Sequence, residues 1–140
     1  MLKKKRFLSL LLTAICIFSF TIPASAVGPK ASEQIGTYTI TVNSYSSTIN
    51  VIFSVTGNGI ANKLGCESID VYKKSGSQWV LSESKDEYDT GMSQYNSFTY
   101  TNTIYCNTEA GARYKVVVTV FAENDAGRDT RSKTVYVTGK

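Results

Sequence analysis

The chain has 140 residues, with 15 Lys and Arg against 11 Asp and Glu, and no histidine. The missing histidine removes the commonest general base and the commonest transition-metal ligand. Four of the basic residues, Lys3, Lys4, Lys5 and Arg6, stand at the very start, which leaves eleven charges of each sign in the rest. A chain so balanced, with no basic stripe, is not expected to bind nucleic acid or an anionic membrane surface.

Those four basic residues precede the apolar run "LSLLLTAICIFSFTI", and "PASA" follows, with Ala24 and Ala26 at the small-residue positions of a signal-peptidase site. That order predicts a secretory signal peptide over 1–26. The apolar run is shorter than the ~20 residues of a spanning helix. The expectation is therefore release outside the cell, with no membrane anchor after cleavage. The remaining 114 residues suit one domain with its own core. "VGPKASEQIG" (27–36) is small and polar, and is expected to be a disordered lead-in to a domain over 37–140.

From Thr37 the dominant period is two. "TYTITVN" and "STINVIFSV" alternate apolar with polar residues and read as strands with one buried face. "TGNGIANKLG" (56–65) reads as a loop, with Ile60 and Leu64 tucked beneath it. "ESIDVYKKSGSQWVLSE" (67–83) reads as a hairpin turning at Ser75-Gly76-Ser77. Trp79 faces the same way as Leu81 and is expected to be structural, packed in the core. "SKDEYDTGMSQYN" (84–96) reads as a long loop that has room for one extra strand. "SFTYTNTIY" (97–105) is a further strand, "CNTEAGA" a turn, and Tyr114 to Val137 a closing hairpin. About seven short strands and no helix predict an all-β, antiparallel, immunoglobulin-like sandwich.

The segment "YKVVVTVFAENDAG" (114–127) resembles the penultimate strand and turn of a fibronectin type III domain. The resemblance implies that even positions from 114 to 122 point inward and that Asn124 and Gly127 shape the turn. It also implies that Tyr114 is a structural staple whose hydroxyl bonds the backbone upstream. The strand carrying Phe53 lacks the tryptophan common in that family. "GNGIANKLGCESIDVYKKSGSQW" together with "VVVTVFAENDAG" is similar to small exported bacterial proteins of uncharacterised function, which implies no activity.

Cys66 and Cys106 are the two cysteines outside the signal, and an exported pair suggests a disulfide. It would close a loop worth about 4 kcal/mol in the chain-entropy model. The alternative is two separate buried thiols. In the up-and-down strand order above the two residues fall at opposite ends of the sheet, so either the bridge or the strand order must give way.

No motif for a serine nucleophile, a phosphate loop or a four-ligand zinc site occurs, and no cofactor or metal is expected. Glu83, Asp86, Glu87 and Asp89 cluster, as do Glu123, Asp125 and Asp129. They read as solvated loops rather than an acid/base pair. The aromatic load is high, with nine tyrosines. Tyr88 and Tyr95, in the polar loop, and Phe121, on the outward side of its strand, are the candidate ligand contacts. The leading expectation is a non-catalytic secreted protein that binds an extracellular glycan or protein. The alternatives are a carboxylate-dependent hydrolase, or a secreted toxin or self-assembling surface protein whose uncharged edge is "TYTITVN".

Overall fold

The computed structural model describes residues 34–140, so the signal peptide and most of the lead-in lie outside the described residues. The described chain is all-β and antiparallel. The six strands are β1 (Ile35–Tyr45), β2 (Thr48–Ser75), β3 (Gln78–Asp86), β4 (Ser93–Asn107), β5 (Arg113–Asn124) and β6 (Gly127–Thr138). They form one hydrogen-bonded sheet in which β2 is central and pairs with β1, β3, β4 and β5, while β6 pairs with β5.

The strand count differs from the expected seven for one reason. The Gly- and Asn-rich stretch 56–65 is extended rather than looped, so two expected strands fuse into the 28-residue β2. Its first half lies between β1 and β4, and its second half between β5 and β3. The change of partners coincides with register shifts between Thr56 and Ala61 and between Cys66 and Ser68. Irregularities of this kind bend a strand and increase its twist. The sheet therefore curls until β1 comes back against β5 and β6. Lys133 on β6 donates to the Ile40 carbonyl at 2.8 Å and covers part of the β1 edge.

The expected loop 84–96 also shrinks. β3 runs to Asp86 and β4 begins at Ser93, leaving a six-residue turn and no added strand. β1 starts at Ile35, two residues before the expected boundary, and Gln34 and Ile35 are buried.

The alternation that predicted the strands is visible in the packing. Ile49, Val51, Phe53 and Val55 of β2 face Val116, Val118 and Val120 of β5, all fully buried, with Ile69 and Val71 beside them. Each such side chain contributes roughly 1.5–3 kcal/mol. Tyr114 closes one end of this core, and its hydroxyl accepts a hydrogen bond from Glu109 N–H at 2.8 Å. The β5–β6 turn is held by Asn124 Oδ1, which accepts from Ala126 N–H at 2.8 Å, and by Gly127 at φ +150°.

The outer side of β1, β2 and β4 has a different character. Thr37, Thr56 and Thr99 share one cross-strand row, and Thr39, Ser54 and Thr101 share the next. The hydroxyls are stitched across the strands, with Thr56 and Thr99 3.1 Å apart and Thr101 donating to Ser54 at 2.7 Å.

Candidate functional site

The site grows out of strand register. Tyr95 of β4, Lys63 of β2, Glu123 of β5 and Arg128 of β6 form one row across four strands. The adjacent row on the same face carries Ser93, Gly65 and Phe121. The 87–92 turn folds over this face: Cys66 N–H donates to Met92 O at 2.7 Å, and Ser93 Oγ to Glu87 O at 2.7 Å. Gly65 makes the approach possible. It has φ +148°, and a Cβ there would lie 2.3 Å from Met92 O.

The folded turn brings Glu87 onto the row. Its carboxylate takes Lys63 Nζ at 2.6 Å and Arg128 Nη2 at 2.9 Å. Arg128 also reaches Glu67 at 2.9 Å and Glu123 at 3.1 Å. Two cations thus meet three carboxylates. Burial by itself would raise the Glu87 pKa, but the hydrogen bonds and charges of Lys63 and Arg128 outweigh it and hold the carboxyl below its ordinary value. Lys63 shows the mirror case. Burial works against its charge, yet Glu87 and the Tyr95 hydroxyl raise its pKa.

The three rings singled out from the sequence converge here. Lys63 Nζ lies 4.1 Å from the Tyr88 ring centroid, 5.1 Å from that of Tyr95 and 5.9 Å from that of Phe121. Tyr88 and Tyr95 are 79% and 62% exposed. Phe121 is a correction. It does lie on the face opposite Val120, but it is fully buried, with the Arg128 guanidinium carbon 3.8 Å from its centroid. The ion network caps the ring, so Phe121 supports the cluster from below and is no surface contact.

Trp79 is also corrected. It shares a face with Leu81, as expected, but that face is the outer one. Leu81 is 53% exposed, and Trp79 is half-buried against Tyr136 at 5.6 Å between centroids. β3 pairs only with β2 and so forms an edge of the sheet. Leu64 is buried beneath its strand, whereas Ile60 is 75% exposed.

Cys66 and Cys106 are free, buried thiols, so the disulfide expectation gives way to its alternative. The Cys66 thiol is directed at the carbonyls of Ser68 and Thr119 at 3.4 and 3.3 Å. Burial pushes the pKa of Cys66 up to about 12 and that of Cys106 up to about 11.

The other acidic residues of the two clusters seen in the sequence each accept a hydrogen bond outside the ion network. Glu83 accepts from Asn107 N–H at 3.0 Å and pairs with Lys85 at 3.2 Å. Asp86 accepts from Tyr88 N–H, and Asp89 from Asp86 N–H, at 2.9 and 2.8 Å. Asp125 accepts from Asn62, and Asp129 from Gln34 N–H, at 2.7 and 2.6 Å. Among the described residues no group of three His, Cys, Asp or Glu side chains is arranged to hold a metal ion.

Arg128, Glu67 and, at the centre of the site, Lys63 carry no signal in the sequence patterns above. Lys63 stood inside a stretch taken for a loop, and its partners are distant: 24 residues to Glu87 and 60 to Glu123.

No family model matches the chain, and no curated protein matches it. Among solved structures, the chain is similar to the solution structure of a late embryogenesis abundant (LEA) protein. The TM-score is 0.40 and the identity 14%, over 98% of this chain and 86% of that one.

Proposed function

We propose that the chain is an exported, non-catalytic binding protein that engages an extracellular glycan or protein through Tyr88 and Tyr95. The observation that carries this reading is the placement of two exposed rings beside one buried ammonium. Rings of this kind offer large contact area with a polar tip and anchor partners well. They are also preorganised. The Tyr88 backbone is tied to Asp86, and Lys63 beneath both rings is clamped by Glu87. Little conformational freedom is left to lose on binding.

Export rests on the order of charges, apolar run and small residues in 1–26. The fibronectin type III-like, immunoglobulin-like reading of the scaffold is supported by the Tyr114 bond to Glu109 and by the inward alternation of β5. On this reading the contact is carried by Tyr88 of the 87–92 turn and Tyr95 of β4.

The test uses the protein starting at Val27, applied to a glycan array, to bacterial cell-wall fractions and to immobilised secreted proteins. A Tyr88→Ala/Tyr95→Ala double variant is expected to bind its target at least about tenfold more weakly. A double variant that binds as the parent does, or a parent that binds nothing, would reject the reading.

A further inference from the structure

The outer side of β1, β2 and β4 presents five cross-strand rows of three residues, and none of the fifteen is charged. Eight are threonines; the others are Ser, Asn, Tyr and a single Ile. Chance makes this a surprising surface, because exposed strand faces normally carry Lys, Glu, Arg or Asp, and this chain has eleven of each sign to spend beyond its signal. Side chains in such a grid stand about 4.8 Å apart across the strands and about 6.7 Å apart along them.

The row Asn43–Asn50–Tyr105 has a special position. On the β1 side it meets an open depression of about 610 Å³ that includes Tyr45 and Asn50 in its walls. On the β4 side it meets another of about 490 Å³, walled by Thr103 and Tyr105. Tyr45 and Tyr105 are 71% and 61% exposed, so an accessible ring stands at each side of the sheet. Asn50 is oriented, its Oδ1 accepting from Thr48 at 2.9 Å. Ser44 Oγ, in the wall of the first depression, is buried without a partner among the described residues.

From these features we infer that this face binds a linear, uncharged polysaccharide laid across the strands, from the Tyr45 depression over Asn43 and Asn50 to Tyr105. Neutrality of the face argues for a neutral occupant; a polyanion or a charged protein surface would need complementary charge. Charge stands only at the two ends of the path, where Lys140 lines the first depression and Lys85 and Asp89 line the second. Amides and hydroxyls supply both donors and acceptors for sugar hydroxyls, and the two rings supply stacking faces for sugar C–H surfaces. The inference rests on the reading of the chain as a binding protein, but on residues remote from Tyr88 and Tyr95.

The experiment is affinity electrophoresis and calorimetry of the protein from Val27 with cellohexaose, chitohexaose and xylan, with heparin as the anionic comparison. The expected result is binding to at least one neutral chain and none to heparin. Tyr105→Ala should weaken it about tenfold, equivalent to about 1.4 kcal/mol. Asn43→Lys, at an exposed position on the path itself, should weaken it similarly while leaving the melting temperature unchanged. Tyr88→Ala/Tyr95→Ala should leave it intact, which separates failure here from failure at the paired tyrosines. No binding to any neutral chain, equal binding by the lysine variant, or a dimer that the lysine variant dissolves would each overturn the inference.

Discussion

Lys63 and Glu87 lie 2.6 Å apart with side chains only 7% and 14% exposed, and every ring of the candidate site is arranged about that pair. A buried ion pair is held at a desolvation cost, so removing one partner harms more than the pair contributes. Glu87→Gln is expected to cost about 3 kcal/mol at neutral pH, measured by urea unfolding. Because the folded Glu87 pKa lies below its unfolded value, its contribution is present above that unfolded value, about 4.3, and is lost as pH falls through the lower folded one. The gap between parent and variant should therefore close below about pH 4. Parallel stability curves down to strong acid would show that the pair does not matter in this way.

Gly65→Ala probes how the 87–92 turn is seated. An added methyl meets the Met92 carbonyl and the Ser93 Cα at 2.3 and 2.7 Å, both backbone, at φ +148°. A loss of about 3 kcal/mol or more is expected. In a milder outcome the turn would lift, and amide exchange at Cys66 N–H, which bonds Met92 O, would rise sharply. Unchanged stability together with unchanged exchange would contradict the packing described.

Tyr114→Phe keeps the ring and deletes the acceptor for Glu109 N–H. The expected cost is about 1 kcal/mol in denaturant unfolding. Tyr114→Ala, which empties a buried ring site, should cost about 3–5 kcal/mol. Equal losses for the two variants would mean that the hydroxyl, and not the ring, closes this end of the core.

Cys66 and Cys106 should be silent in the folded protein. With pKa values of about 12 and 11, no more than roughly one thiol in a thousand is thiolate at pH 8. The intact mass should not change with reductant, and alkylation should proceed only after denaturant is added. A mass shift on reduction would restore the bridge.

Much of the fold could be read from the chain because strand alternation is a local pattern. The buried sets Ile40 and Val42 of β1, and Ile49, Val51, Phe53 and Val55 of β2, follow from period two alone. The stretch 56–65 could not be read so. Its glycines and asparagines are good turn residues, and only pairing to β1 and β4 on one side of the bend, and to β4 and β5 on the other, holds it extended. Phe121 illustrates the same limit. Its face was legible; the cover supplied by Arg128 and Glu87 was not, since the guanidinium comes from the next strand and the carboxylate from a turn 34 residues earlier.

Composition and alternation are short-range properties, and they were enough to establish an all-β chain, its hairpins, its hydrophobic residues and its lack of histidine chemistry. Which strands join, which ring is capped and which lysine is buried depend on segments far apart in the chain. Those were decided only when β2 bent and the turn after β3 closed over Gly65, because burial and ion pairing follow from distance in space and not from distance along the backbone.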